Sequence, residues 1–521
     1  MDALTLSAST ALILLTSGVI WQKFCKSPPT WTAELETLGQ PRNKKLKGTA
    51  VVCGGSIAGT VSARVLADHF ERVILVDPEI QNEKKTRIMQ YNAAHILLGL
   101  FVAGSRRLWP NFDDEFKAAG GRMVPADPRI HYSGIPLLTP YQDYAQGSFP
   151  DTVVMRRSSA QNTLHTLLMQ HPTAANITVM AGTVRGLKPS GDMSSIQSVI
   201  VRKPDGTQML LNDVAMVADC TGTTQAGLKW LKSAGFSLPD NIRCSYNGNL
   251  RYVTMCFTVP PELAATLPIP EHALNAAGIY SNAPHFELGS SFVGLVKTDN
   301  NTMQLLVGNS GDDDGPLPET AAEVVQFISE IKGHAPIPSW FLETTAILCK
   351  YGNPSFDNIK IPTQSYVQYH RLPAGDLPSN FVAIGDANLQ LNPIHGQGFA
   401  KTILNGIALD TLLRSLNPMR PLPKDFSARY FKKNSSYTHG LWRVECFTPR
   451  RVYKCPNSSA GMQRDYMTTE HQAVNPWKVK QKTPVASFVG LNSNWSLLRH
   501  RTMKLPRRSG TLVICWLRTG L

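Results

Sequence analysis

The stretch CGGSIAG, residues 53–59, lies between an apolar run, Ala50-Val51-Val52, and a segment from Thr60 to Phe70 that reads as a helix. A strand that stops at glycine and re-enters a helix within a few residues has few folding options. Gly54 permits the tight turn, with Gly55 beside it, and Gly59 lets helix and strand approach closely. Ser56 stands where a further glycine is usual, and it is small enough for the same approach. Backbone N–H groups at the start of such a helix face a pyrophosphate. The next strand, RVILVD, ends in Asp77, 18 residues beyond Gly59. A carboxylate there can accept hydrogen bonds from both ribose hydroxyls. The unit from Gly48 to Glu79 therefore reads as a nucleotide-binding strand–turn–helix–strand.

A second segment, FVAIGDANLQLNPIHGQGFAKTILNGIAL, runs from Phe381 to Leu409. It begins as a buried strand, turns at Gly385-Asp386, passes Pro393 and enters a helix through Gly396-Gln397-Gly398. Asp386 is placed to hold a ribityl hydroxyl of a flavin. The turn at Gly396 and Gly398 aims backbone N–H groups and a helix N-terminus at the flavin edge that becomes anionic on reduction. An ordinary strand–turn–helix with a capping aspartate does not account for the proline and paired glycines.

These two segments resemble the FAD-dependent monooxygenases of the aromatic-hydroxylase type, which share the p-hydroxybenzoate hydroxylase-like fold. GGSIAG is similar to a common form of that family's first glycine motif, and GDANLQLNPIHGQG resembles its second flavin motif. Two further stretches agree. MRRSSAQNTLHTLL, from Met155, is similar to the helix whose opening arginine lies near the flavin. Arg157 and Gln161 fit that spacing, with Arg156 as the alternative. VADCTGTTQAGLKWLKSAGF, from Val217, resembles the stretch that places Asp219 and Gly222 near the FAD adenosine side. TRIMQYNAAHILL offers Arg87, Gln90 and His95 to cofactor or substrate. The similarity covers roughly residues 48–415 and looks closest to membrane-tethered fungal enzymes of secondary metabolism.

The resemblance implies an α/β fold. A Rossmann-like, three-layer FAD-binding domain (48–240 and 378–415) would carry an inserted antiparallel β-sheet substrate domain (241–377). RYVTMCFTV, SSFVGLVKT and TMQLLVG alternate as strands of that sheet, and PETAAEVVQFISEIKG reads as an amphipathic helix. The implied activity uses FAD with NAD(P)H as co-substrate. O2 would add to the reduced flavin as a C4a-hydroperoxide. The oxygen would then pass to a small lipophilic aromatic, polyketide or terpenoid substrate, by hydroxylation, epoxidation or rearrangement. His395 and His95 are the candidate catalytic groups. His395 either touches flavin or substrate or fills space beside the ring, and His95 is otherwise a core or solvent-facing histidine. His370-Arg371 reads as a polar loop. No metal site is assigned. A flavin halogenase, a polyprenyl reductase and a non-catalytic flavoprotein are the alternatives, although the W-x-W-x-I-P stretch of halogenases is missing.

The chain's ends are read differently. Leu4 to Trp21 contains no charged residue and is just long enough to span a bilayer, with Lys23 and Lys26 following and Asp2 preceding. This charge bias places residues 1–22 as an N-terminal transmembrane anchor, 23–47 as a linker, and the large domain in the cytoplasm, on the endoplasmic reticulum. The formal charge is +14, and from Leu441 onward there are 14 Lys/Arg against three Asp/Glu. The body is thus nearly neutral and carries no nucleic-acid motif, which argues against nucleic acid as a partner. Nine cysteines without C-x-x-C spacing read as free thiols. The region 416–521 is atypical and basic, and its periodicity fades beyond about Leu441. A disordered extension, a partner-binding tail and an altered reading frame all fit it.

Overall fold

The computed structural model describes residues 30–446, apart from 83–84, 89, 92, 138–148, 285–287 and 312–314. A five-stranded parallel sheet forms its centre. The strand order is Phe381–Ala383, Val214–Asp219, Leu46–Cys53, Phe70–Asp77, Ile177–Ala181. Its central strand is apolar along nearly its whole length, as expected where both faces are covered. Helices Ile57–His69 and Gly398–Arg414 pack against each other on this sheet. A three-stranded antiparallel meander, Thr183–Pro189, Ile196–Arg202 and Gln208–Leu211, adds the third layer.

The second body is a seven-stranded sheet. Its order is Ser355–Lys360, Arg251–Thr258, Thr302–Asn309, Ser291–Lys297, Tyr280–Ala283, Ile130–Tyr132, Ile135–Pro136. All pairings are antiparallel except that of Tyr280–Ala283 with Ile130–Tyr132. Helices Ala321–Ser329 and Ser339–Tyr351 close one face over Val253, Met255 and Leu305, the second helix burying Phe341 there. Thr320 and Glu323 start the first of them with reciprocal side-chain-to-backbone hydrogen bonds. A smaller sheet, Ala94–Leu97, Asp151–Arg156 and Arg122–Pro125, packs Val154 against Val296 of this body.

Three arrangements differ from the sequence reading. Residues 130–136 belong to the edge of the seven-stranded sheet, because Ile130–Tyr132 finds its backbone partners there. Residues 30–47 are structured: Trp31 and Leu38 are buried in the core of the parallel-sheet domain, and Leu46 begins its central strand. The region after 415 also joins that core. Helix Phe426–Cys446 buries Phe426, Tyr430 and Phe431. Its Asn434, one of the N-x-S/T positions, is buried and hydrogen-bonded to Asn405 and Asn388, which closes it to a glycan in the folded chain. Among the described residues no helix is long and apolar enough to cross a membrane. The segment Leu4–Trp21 and the basic stretch from residue 447 lie outside the described residues.

Candidate active site

A cleft of about 630 Å³ opens at the carboxyl ends of the parallel strands, where ligands of such sheets bind. The first glycine turn reaches it, and so do Asp386 and Pro393 of the second segment. Gly54, Gly55, Ser56, Asp77, Cys220, Gly222, Asp386 and Pro393 all line it.

The first turn is held by close approach. A Cβ on Gly59 would sit 1.7 Å from the Gly54 carbonyl oxygen, and one on Gly54, at φ +111°, would sit 2.5 Å from that of Cys220. Gly59 therefore shapes the turn from behind without lining the cleft. Asp77 accepts the Gly55 N–H at 2.8 Å and the Glu79 N–H at 2.7 Å, one on each carboxylate oxygen. Both oxygens retain lone pairs toward the cleft. Ser56 precedes helix Ile57–His69 but does not cap it. Its hydroxyl instead donates to Gln161 Oε1 at 2.9 Å. The helix's leading N–H groups are thus left for a ligand.

The second turn repeats the device. Gly396 has φ +65°, and helix Gly398–Arg414 starts without a side-chain cap. A Cβ on Gly398 would meet no protein atom within 4 Å, so protein packing does not require glycine there. Gly396 and Gly398 stand next to the cleft's Pro393 in sequence but are not among its lining residues. The start of the second segment lies against the first helix: a Cβ on Gly385 would lie 2.8 Å from that of Ala58. Asp386 is 44% exposed and pairs at 2.6 Å with the buried Lys401, one turn into the helix. Sequence reasoning missed Lys401, since a lysine inside a helix carries no local signal of burial.

The structure separates the two candidate arginines. Arg156 is bound by Nε and Nη2 to Asp299, which is fully buried, and its backbone N–H donates to the same carboxylate. Arg157 faces the cleft. Its buried Nε has no hydrogen-bond partner. Burial pushes its pKa down, and Asp386, Tyr252 and Tyr91 pull it back. Gln161 and Gln90 also line the cleft. Gln90 Nε2 donates to the Tyr252 hydroxyl at 2.6 Å, joining the cleft to the seven-stranded sheet. Arg87 lines the rim and its side chain is largely exposed.

Three candidates sit otherwise than expected. Asp219 does not line the cleft. Its carboxylate accepts from Thr221 N–H and Oγ1 and from Gly227 N–H, and it organises the turn that presents Cys220 to Thr224. Burial raises its pKa, against the pull of those hydrogen bonds. Neither His95 nor His395 lines the cleft. Burial pushes His95 down to about 3, assisted by the Arg157 charge, and His395 down to about 4. His95 is held at Nδ1 on the Ala93 carbonyl and packs edge-on to Phe399. Both are neutral, weakly basic imidazoles near pH 7. Cys53 and Cys220 line the cleft with buried thiols, Cys220 pushed up to about 12, so neither supplies a thiolate.

No family model matches the chain. It is 22% identical over 406 residues to Protein Rv3254 of Mycobacterium tuberculosis, covering 76% of this chain and 79% of that one. Among solved structures it is similar to PqsL of Pseudomonas aeruginosa, described as a probable FAD-dependent monooxygenase. There the TM-score is 0.53 at 16% identity, over 77% of this chain and 94% of PqsL. The tetrameric form of 2-methyl-3-hydroxypyridine-5-carboxylic acid oxygenase superposes with TM-score 0.51 at 13% identity, over 86% and 97%. A flavoprotein/dehydrogenase from Cytophaga hutchinsonii gives 0.54 at 13% identity, over 91% and 93%. With a parallel-sheet domain that carries an inserted, largely antiparallel sheet, the chain has the fold of these solved structures.

Proposed function

We propose that this chain is an FAD-dependent monooxygenase. It would use NAD(P)H and O2 to oxygenate a small lipophilic aromatic, polyketide or terpenoid metabolite, in a secondary-metabolite pathway. The observation that carries the reading is one cleft that gathers the Gly54–Ser56 turn ahead of an uncapped helix, Asp77, Arg157 and Asp386. The donor set fits the cofactor. The Gly54–Ser56 turn and the N-terminus of helix Ile57–His69 would hold the pyrophosphate, and Asp77 the adenosine ribose. Asp386, oriented by Lys401, would take a ribityl hydroxyl. The N-terminus of helix Gly398–Arg414 would stabilise negative charge on the flavin ring. Bound FAD would supply the electron transfer and oxygen activation.

The chain's own residues hold, orient and exclude water. Neither His95, pushed down to about 3, nor His395, pushed down to about 4, is basic enough to take up a proton near pH 7. The substrate's own hydroxyl would therefore supply the activating group, beside Arg157 and Tyr252 at the meeting of cleft and sheet. We further propose that residues 1–22 anchor the protein in the endoplasmic reticulum membrane with the catalytic domain in the cytoplasm; the uncharged run Leu4–Trp21 and the lysines after it support this.

The test is oxygen uptake by the detergent-solubilised, FAD-loaded chain with NADPH or NADH, across phenols, polyenes and aromatic polyketides. Substrate-stimulated uptake with an oxygenated product supports the reading. Reduction of an alkene without oxygen uptake would replace it with a reductase.

A further inference from the structure

The end of the parallel-sheet domain away from the cleft has a composition that neither flavin binding nor catalysis uses. Residues 40–47, QPRNKKLK, carry four basic side chains and no acidic one. They lie against the end of helix Gly398–Arg414. Arg42 donates to the Leu413 and Leu416 carbonyls, and Arg414 donates to the Gln40 carbonyl at 2.6 Å. The chain then turns through 416–425, where Met419 is 68% exposed and is followed by exposed Arg420 and Lys424. Helix Phe426–Cys446 continues with Arg429 and Lys432 on its exposed stripe. Among the described residues, the side chains of Arg420, Lys424, Arg429 and Lys432 make no hydrogen bond or ion pair. The acidic residues nearby are mostly engaged: Glu34 accepts from Lys433, Tyr437 and Thr411, and Asp410 accepts from His69 and Arg414. Asp425 is the exposed carboxylate within the 416–432 stretch.

The same clamp fixes where the N-terminal segment leaves the domain. Trp31 and Leu38 are buried, and Glu34 ties the segment to both helices. We infer that this face, Lys44, Met419, Arg420, Lys424, Arg429 and Lys432, docks the domain on an anionic lipid bilayer. Met419 enters the acyl boundary and the cations meet the headgroups. Unpaired cations around an exposed apolar side chain fit such a surface. The inference adds an orientation to the anchor reading above and rests on it for the bilayer's presence. Helix Gly398–Arg414 rises 17 residues, about 25 Å, from this face to the glycine turn, so the cleft stays clear of the lipid.

The experiment is hydrogen exchange on the full-length, FAD-loaded chain reconstituted in phosphatidylcholine vesicles, with and without phosphatidylserine. Flotation of the same samples reports N-terminal attachment separately. Phosphatidylserine is expected to slow exchange in 416–432 by about fivefold or more, with the effect collapsing at high salt. The full-length variant Arg420→Gln/Lys424→Gln/Arg429→Gln/Lys432→Gln is expected to lose that protection while floating on neutral vesicles as before. Met419→Asp is expected to reduce it. Equal protection without phosphatidylserine, or unchanged protection in the quadruple variant, would overturn the inference, as would protection by a soluble acidic polypeptide but not by vesicles. Failure to float on neutral vesicles would remove the anchor and leave the anionic comparison to decide the face.

Discussion

The parallel-sheet domain and the seven-stranded sheet are built by different rules. In the first, backbone approaches backbone so closely that side-chain identity is dictated: Gly59 against the Gly54 carbonyl and Gly54 against that of Cys220. In the second, strands such as Arg251–Thr258 and Thr302–Asn309 are set mainly by apolar residues facing Phe341 and its neighbours, with a single close approach between them where a Cβ on Gly308 would sit 2.3 Å from the Arg251 carbonyl oxygen. Many sequences satisfy such an alternation. The cofactor side is therefore over-determined, while the substrate side is free to vary. That division explains why the cofactor can be argued from single residues and the substrate cannot.

The sharpest way to break the comparison lies at the border, in two consecutive arginines. Arg156→Met leaves the Asp299 carboxylate buried without its cation, and breaking such a pair costs about 3–5 kcal/mol. Arg157→Met removes a buried guanidinium whose Nε has no partner, so the apo chain is expected to unfold at the same or slightly higher denaturant concentration. Its cost should appear in FAD affinity. Denaturant titration of both apo variants, beside flavin retention on gel filtration, separates the roles. An Arg156→Met chain as stable as the parent would remove Asp299 as the anchor of this strand end.

The two glycine turns give the next largest contrast. Gly59→Ala drives a methyl into the Gly54 carbonyl and is expected to destabilise the apo chain by about 3 kcal/mol, with loss of FAD. Gly398→Ala meets no protein atom, and alanine suits a helix start better. The apo chain should melt within about 1 kcal/mol of the parent, and flavin binding alone should weaken. If Gly398→Ala binds FAD normally, the second turn does not contact the ring.

These contrasts show what was legible in the sequence. Steric necessity writes itself locally, so the tight turn at Gly54 and Gly59 could be read from the spacing of strand and helix. Asp219 was misplaced because an aspartate that accepts three local hydrogen bonds looks, in sequence, like one that faces a ligand. Lys401 was invisible because its charge is matched only through the fold. Residues 30–47 read as part of the 23–47 linker because they end in the polar, basic stretch QPRNKKLK. Trp31 and Leu38 join the core through single contacts that no periodicity announces.

A smaller effect comes from protons. The folded chain holds His95 and His395 far below the usual histidine value of 6.5, while the unfolded chain titrates normally. The unfolded state therefore binds more protons below about pH 6.5, and stability falls as pH falls from there toward about pH 4. Each histidine contributes at most one proton, about 1.4 kcal/mol per pH unit. His395→Asn should flatten the stability profile by up to that slope over this window. An unchanged profile would mean that His395 stays protonatable in the folded chain.

The smallest expected effect tests the substrate side. Tyr252 lies on the seven-stranded sheet and receives a hydrogen bond from Gln90, which lines the cleft. Tyr252→Phe removes one hydroxyl and leaves the Gln90 amide able to turn toward solvent, since Gln90 is only half-buried. The stability cost should be about 1 kcal/mol, and FAD should remain bound. If the hydroxyl also meets the substrate, KM should rise several-fold while NAD(P)H oxidation without substrate is unchanged. That split would place substrate recognition on the sheet and cofactor chemistry on the turns. A fall in flavin affinity instead would put Tyr252 with the cofactor, and the border between the two regions would move one strand into the sheet.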